Sequence, residues 1–450
     1  MPGQNKASAS HRLRLSRYAT ILDDGAGGWL VHSGLTGAVV RLSKAHVVEL
    51  QAWQSPDTNP DEDVLVRWAN QKVRERLAQT MILVDDDSDE RWLLWDRYQK
   101  ESIASPLSFV IAPTMQCDLR CPYCYNPKHR QVMAARTRAE VAAFVRGELC
   151  RDSQRCPTVF VTWVGGEPLL DMAGMTLLAQ GIAEGADEYG ADIMTKVVTN
   201  GTHLAEVVAQ QLAARPYRVR EVQVTLDAPR ERHDRQRVTS TGDPTFDAII
   251  RNVTHASKHV PLTLRINVDL STTIADVSRL LDELMDMEVV EAGMSNPQIE
   301  LRPIYATSCI GNDALTQHFA DLECHAIAVI KECRLRYAET LALSPKAVPC
   351  GAVTHRQWVI DSEGYLYRCQ ELMGRPGRAC GHVSTGWTPA AKDAHEWHAF
   401  DPTNEPICRD CRVLPLCMGG CIADHVRDPQ CPPRCRAIRY SLEKRLRLMQ

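Results

Sequence analysis

The sequence predicts an α/β fold in which six β-α units follow one another, flanked by a small N-terminal unit and a cysteine-rich tail. Three observations carry that expectation. Residues 107–336 alternate short β-branched runs with longer helical patterns, the two ends of the chain do not, and all 17 cysteines lie at or after Cys117. Six such units imply a parallel sheet, open or closed into a partial barrel, with right-handed crossovers. The 450 residues, 44% of them hydrophobic, suffice for several cores, at roughly 100–200 residues per domain. Lys and Arg number 52 against 56 Asp and Glu, a formal charge of −4. No global basic field exists to hold nucleic acid or an acidic membrane, and neither partner is expected.

In chain order, Tyr18 to Leu22, Gly28 to His32 and Ala38 to Leu42 read as three short strands between Gly-rich turns. Lys44 to Gln54 and Asp61 to Gln79 carry helical spacing, and Met81 to Val84 is a short apolar run before the acidic stretch Asp85 to Glu90. Three strands followed by helices make a winged-helix-like unit, residues 1–100. Residues 101–340 supply the strands Leu107 to Ile111, Thr158 to Val164, Asp192 to Val198, Glu221 to Leu226, Leu262 to Val268 and Gln298 to Ile304. Their helices are Thr137 to Cys150, Met172 to Tyr189, His203 to Ala214, Thr245 to His259, Ile274 to Met287 and Asp313 to Tyr337. In such sheets ligands sit at the carboxyl ends of the strands, which predicts where functional motifs must lie. Residues 341–450 are rich in Gly, Pro and Cys and poor in periodicity apart from a basic helix, Cys435 to Met449. Something other than a large apolar core must order that tail, and metal binding is the expected source.

Disulfides do not account for the cysteines. Met1 to Ser10 is polar, His11 to Arg17 is basic, and neither a signal-peptide apolar core nor a run of about 20 apolar residues follows. A cytoplasmic protein is expected, in which clustered thiols are metal ligands. After the first strand of the β-α series come Cys117, Cys121 and Cys124, three thiols within eight residues. A structural zinc wants four closed ligands, whereas an iron-sulfur cubane with three protein ligands keeps one iron free for substrate. A zinc site completed by His129 is the rival.

Cys117, Cys121 and Cys124, with Tyr123 just before the third, resemble the signature of the radical SAM superfamily. The strand ends agree: Gly165-Gly166-Glu167-Pro168 is similar to that family's GGEP motif, and Thr199-Asn200 and Thr225-Leu226-Asp227 close the third and fourth strands. The resemblance implies a partial (β/α)6 TIM-like barrel. It further implies that a [4Fe-4S] cluster on the three thiols cleaves S-adenosylmethionine reductively to a deoxyadenosyl radical. Glu167 and the glycines would meet the amino group of S-adenosylmethionine, and Thr199, Asn200, Thr225, Asp227 and Arg237 would border its ribose and carboxylate. His233-Asp234 accompany Arg237, and Arg265 and Asn267 on the fifth strand are open between satisfied strand residues and ligand contacts.

In the tail, Cys350, Cys369, Cys408, Cys411, Cys417, Cys421 and Cys435, with Gly364 five residues before Cys369, resemble the seven-cysteine SPASM extension of radical SAM enzymes that modify peptides and proteins. It implies two auxiliary clusters, one on Cys350, Cys369 and Cys421 and another on Cys408, Cys411, Cys417 and Cys435. Cys431 rivals Cys435, and Cys380 is a candidate to complete the first. Cys150, Cys156, Cys309, Cys324 and Cys333 read as small buried hydrophobes, the last three also as hydrogen donors for an epimerisation. Sulfatase-maturing members carry an Asp base directly after the Cys of the Gly-x4-Cys element; here Gln370 stands there and cannot take a proton.

The implied activity is maturation of a ribosomally made peptide by crosslinking or oxidation, with an external flavodoxin- or ferredoxin-type reductant. In that context the N-terminal unit resembles leader-recognition domains, which add a precursor's leader as a strand. A protein maturase, a small-molecule radical enzyme and a non-catalytic zinc or iron-sulfur scaffold are the alternatives.

Overall fold

A computed structural model describes residues 13–52, 71–127, 131–152, 158–286, 297–305, 311–333, 335–337, 343–388 and 391–449. Cys156, Cys309, His129 and the helical pattern at 61–70 lie outside the described residues.

The N-terminal unit contains strands β1 (Leu13–Leu15), β2 (Ala19–Asp23), β3 (Gly28–Ser33) and β4 (Val39–Ser43), helices α1 (Lys44–Ala52) and α2 (Gln71–Gln79), strand β5 (Leu83–Asp85) and helix α3 (Glu90–Ala104). β2, β3 and β4 form the expected antiparallel sheet, and β1 pairs with β5 in a separate ribbon. Neither the ribbon nor α3 stands out in the sequence, because three-residue strands leave no measurable alternation. α3 begins where Asp89 caps it, its carboxylate accepting from the Arg91 and Trp92 amides. Leu94 and Tyr98 of α3 share one apolar cluster with Met115, Val164, Leu414 and Met418. Tyr98 also donates to the Phe400 carbonyl at 2.7 Å. The unit is therefore fused to the rest of the chain through a common core, and a cut near residue 100 would open that core.

The central strands are β6 (Leu107–Ile111), β7 (Thr158–Trp163), β8 (Asp192–Thr199), β9 (Val219–Asp227), β10 (Leu262–Val268), β11 (Gln298–Pro303) and β12 (Arg336–Tyr337). Their helices are α4 (Ala135–Asp152), α5 (Met172–Glu188), α6 (Glu206–Ala213), α7 (Arg230–Gln236), α8 (Phe246–Ala256), α9 (Ile274–Asp286) and α10 (Asn312–Glu332). All neighbouring pairs from β6 to β12 are parallel and in sequence order, as a partial barrel requires. The expected last helix ends early: Arg336 and Tyr337 leave it to pair with β11.

The tail contributes β13 (Gln357–Ile360), β14 (Tyr365–Tyr367), β15 (Gly381–His382), β16 (Gly386–Trp387), α11 (Lys392–Ala399), α12 (Leu414–Cys417), α13 (Ala423–Arg427) and α14 (Ile438–Leu448). β13 runs parallel to β6, and β14 to β16 continue it antiparallel, so the sheet has eleven strands among the described residues. The tail thereby covers the β6 edge, which would otherwise present unpaired backbone groups.

Register sorts the two faces of the central sheet. Phe109, Val161, Val197, Val222, Leu264 and Ile299 belong to the face packed under helices, and each is at most 2% exposed. The opposite face of β8 to β11 carries Lys196, Glu221, Gln223, Thr225, Arg265, Glu300 and Arg302. Polar side chains on the concave face leave it to ligands rather than to an apolar core.

The terminal helix α14 is locked onto α10 by Arg445 and Glu323, whose side chains are 7% and 3% exposed. Tyr337 donates to the same carboxylate at 2.9 Å. Arg445→Met should therefore cost about 3–5 kcal/mol by stranding a buried carboxylate. Lys444→Met breaks only the exposed pair with Asp321, and should cost roughly 0–1 kcal/mol. Urea midpoints at constant slope measure both. No helix among the described residues is long and apolar enough to cross a membrane.

Candidate active site

The three-cysteine loop leaves β6 and crosses the carboxyl ends of the strands. It is fastened at both sides: Met115 N donates to Gln131 O at 2.9 Å, and Arg120 N to Val238 O at 2.9 Å. Within it the Cys117 sulfur accepts from the Leu119 amide at 3.4 Å. Burial pushes the Cys117 thiol up to about 12, and neighbouring Glu167, Asp118 and Cys121 add to the rise. Cys121 is raised for the same first reason and lies within electrostatic reach of Cys124. Buried thiols such as Cys117 and Cys121 are costly as anions until a cationic group joins them.

Among the described residues no three His, Cys, Asp or Glu side chains converge closely enough to hold a single metal ion. A mononuclear zinc needs four donors about 2.0–2.3 Å from one point.

Tyr123 ties this loop to the barrel. Its hydroxyl lies 2.7 Å from both Asp227 carboxylate oxygens, accepts from Arg237 Nη1 at 2.9 Å and lies 3.4 Å from Asn267 Nδ2. Asn267 also donates to Asp227 at 3.2 Å. Asp227 is 1% and Arg237 5% exposed. Burial pushes the Asp227 carboxyl up, against Arg237, Tyr123 and Asn267, which favour the anion. Asp227, Arg237, Tyr123 and Asn267 thus meet, as the motif positions anticipate, while Thr225 stands half-buried on the concave face beside Arg265.

The Gly165-Gly166-Glu167 turn packs against the three-cysteine loop and the end of β8. A Cβ on Gly165, whose φ is +138°, would lie 2.2 Å from the Thr114 carbonyl, and one on Gly166 would lie 2.1 Å from the Gln116 carbonyl. The close backbone approach these glycines permit is to the segment just before Cys117. Glu167 is fully buried, and its carboxylate accepts from Thr199 Oγ1 at 2.7 Å, the Asn200 amide at 2.7 Å and the Leu169 amide at 3.0 Å. The carboxylate braces its own turn against the end of β8. Burial pushes it up to about 7, although those hydrogen bonds favour the anion. Glu167→Gln sets an amide N–H against one of these donors and should cost about 1–3 kcal/mol of unfolding free energy, read from urea titration.

Asp118 went unnoticed in the sequence. It accepts from Asn200 Nδ2 and Thr202 Oγ1, each at 2.7 Å, and pairs with His203 at 3.4 Å. Burial alone would raise its carboxyl; these partners instead hold it down at about 2. An acid directly after the first cysteine of the loop, facing a Thr-Asn-Gly-Thr strand end, was the available signal.

The tail thiols fall into two groups by mutual repulsion. Cys369 is pushed up first by burial and then by Glu371, Cys421 and Cys350, and Cys421 is acted on by Cys350. Cys408 is raised by burial and by Cys417, Cys435 and Cys411. Cys435 also accepts from Arg439 Nη1 at 2.9 Å. Cys431 is disulfide-bonded. Cys380 is buried and, with Cys350, acts on the buried guanidinium of Arg368.

Of the remaining thiols, Cys324 is buried as expected and Cys333 is half-buried; three other expectations fail. Cys150 is exposed, not buried. Cys324 lies on the outer helical layer, within reach of Arg445 and Lys444, and Cys333 ends α10 near Glu332 and Asp282. That helix starts at the carboxyl end of β11 and runs away from it, so neither thiol is placed to give a hydrogen at the site. Gln370 is half-buried beside Glu371, whose carboxylate is engaged by Arg427.

Comparison with known proteins shows residues 111–284 matching the radical SAM superfamily. A serine-type anaerobic sulfatase-maturating enzyme of Bacteroides thetaiotaomicron is 29% identical over 169 residues, covering 35% of this chain and 38% of that enzyme. The match therefore spans well under half of the relative's length. Among solved structures, anSMEcpe with bound AdoMet superposes with a TM-score of 0.56 at 18% identity, over 76% of this chain and 96% of that one. Streptococcus suis SuiB bound to its precursor peptide SuiA gives a TM-score of 0.52 at 14% identity, over 95% of this chain and 99% of that one. These two likenesses establish a shared fold.

Proposed function

From the premise that residues 111–284 form a radical SAM domain, we propose that the chain is a radical SAM/SPASM maturase. It acts on a ribosomally made peptide and leaves a crosslink or an oxidised residue. The carrying observation is that the three-cysteine loop meets the ends of β7, β8, β9 and β10 in one network at the carboxyl side of a parallel sheet.

Cys117, Cys121 and Cys124 would hold one [4Fe-4S] cluster, and the two tail groups would hold auxiliary clusters, with Cys380 available to the first. When bound, the cluster and S-adenosylmethionine supply a deoxyadenosyl radical able to remove hydrogen from an unactivated carbon. The chain's own share is placement. Asp227, Arg237 and Asn267 hold Tyr123, and through it the loop; Glu167 and Asp118 hold the neighbouring strand ends against it. Arg375 donates to the Tyr125 carbonyl at 2.8 Å, so tail and loop close over the same mouth.

An external flavodoxin- or ferredoxin-type reductant would deliver the electron, and the N-terminal sheet would take the leader as an added strand. The SuiB neighbour, solved with its precursor peptide, supports a peptide substrate. Because the N-terminal unit shares a core with the tail, leader binding is tested on the full chain and not by truncation. The decisive experiment is anaerobic reconstitution with S-adenosylmethionine and reductant, followed by co-expression with the short peptides encoded beside the gene. Deoxyadenosine together with a peptide mass loss of about two hydrogens is expected. Absence of deoxyadenosine from iron-loaded protein would refute the reading.

A further inference from the structure

Among the described residues, exposed Asp192 and Arg336 stand at the starts of their strands; of the charged side chains further along the concave face, all but one have a counter-charge or a full set of partners. Lys196 pairs with Glu221 at 2.8 Å, Arg302 pairs with Glu300, and Asp227 is held by Tyr123 and Asn267. The exception is Arg265. It projects from the middle of β10 on the concave side, half-buried, and its one hydrogen bond is a long contact from Nε to Asn267 Oδ1 at 3.3 Å. No carboxylate among the described residues lies within ion-pair distance of it. The register places Glu300 directly across from it. Both oxygens of that carboxylate are engaged, one by Gln223 Nε2 at 2.6 Å and the other by Arg302.

A guanidinium in this setting is incomplete. Burial and the like charge of Arg302 work against its charged form, while Tyr125, Glu300 and Tyr123 favour it from beyond ion-pair distance; an enclosed cation is costly until an anion joins it directly. Its terminal nitrogens form a planar fork suited to a carboxylate. Tyr125 lies within electrostatic reach of it and is 39% exposed just after Cys124, so an anion held there would sit beside the cysteine loop and open to the mouth. Arg237 is set apart by its engagement with Tyr123.

We propose that Arg265 is a specificity-determining residue that receives a carboxylate of the substrate, an acidic side chain or a chain-terminal carboxylate, inside the barrel. The proposal rests on the maturase reading. It requires that the acidic group approach from the mouth and dock two residues along β10 below Asn267. Neutral analogues of the substrate should then bind poorly, because they leave Arg265 uncompensated.

The test uses the reconstituted full chain and two probes, acetyl-Gly-Glu-Gly-amide and its neutral counterpart acetyl-Gly-Gln-Gly-amide, titrated with and without saturating S-adenosylmethionine. The acidic probe should bind at least about tenfold more tightly than the neutral one, with S-adenosylmethionine present or absent. Arg265→Gln should erase that preference, while Arg265→Lys, which keeps the charge and loses the fork, should retain part of it; far-UV circular dichroism verifies that both variants are folded. Equal affinity for the two probes in the unmodified protein overturns the proposal. So does a preference that vanishes once S-adenosylmethionine is bound, which would assign the site to that molecule's own carboxylate. Deoxyadenosine formation by the unmodified protein is measured separately, so a failure of the maturase reading is distinguishable from a failure at Arg265.

Discussion

Replacing Cys117, Cys121 and Cys124 together by alanine should lower deoxyadenosine formation at least about a thousandfold, a loss of roughly 4 kcal/mol or more in the activated step. Iron content should fall by only about a third, from ~12 to ~8 per chain, if each cluster carries four irons. The two halves of that result come from the same arrangement. The three thiols stand on one loop between β6 and α4, whereas the tail thiols stand on separate segments around α12 and after β14. Repulsion acts within each set, among Cys117, Cys121 and Cys124, and among Cys408, Cys411, Cys417 and Cys435. Alanine at the loop removes ligands without disturbing the fastening bonds from Met115 and Arg120, which are made by the backbone. Cys408→Ala with Cys411→Ala should do the converse, removing iron while sparing part of the deoxyadenosine yield. Deoxyadenosine at undiminished rate from the loop variant would sink the assignment, and so would complete loss of iron from it, which would mean that the tail cannot hold metal alone.

Much of this was legible in the residues, for physical reasons that differ from element to element. β6 and β10 begin and end where their β-branched runs do, because both are flanked by helices and must be apolar on the covered face. The three-cysteine loop was legible because thiolate chemistry restricts spacing; the division of the tail cysteines into two groups came only from their resemblance to the SPASM extension. The tail strands β13 to β16 were not: two to four residues each, they acquire their order from pairing with β6, a contact across more than two hundred residues. Glu167 shows another limit. Its motif drew attention to the right position, yet only the structure shows that its carboxylate is engaged by Thr199, Asn200 and Leu169. Arg265 was ambiguous in the sequence, since an arginine in a strand is unremarkable until the register shows that the carboxylate across from it is taken.

Asp227→Ala should be the most damaging single change away from the cysteines. It removes the acceptor of the Tyr123 hydroxyl and leaves Arg237, 5% exposed, without the carboxylate that stands 3.9 Å from it. Stranding a buried cation costs about 3–5 kcal/mol, which should appear as a lower urea midpoint. Asp227→Asn keeps the shape and one acceptor oxygen, losing the charge and the other acceptor, and should cost less. Tyr123→Phe leaves Asp227 and Arg237 free to close their gap and should cost least in stability. In function the order changes. If Tyr123 positions the loop, Tyr123→Phe and Asp227→Asn should both lower the yield of deoxyadenosine while leaving the iron content intact, because no ligand has been touched. If Asp227 instead contacts S-adenosylmethionine directly, Asp227→Asn should weaken its binding and Tyr123→Phe should not. Equilibrium binding of S-adenosylmethionine to the two variants, measured beside their unfolding curves, separates a brace from a contact; equal and unperturbed affinity in both, with normal deoxyadenosine yield, would show that the network serves stability alone.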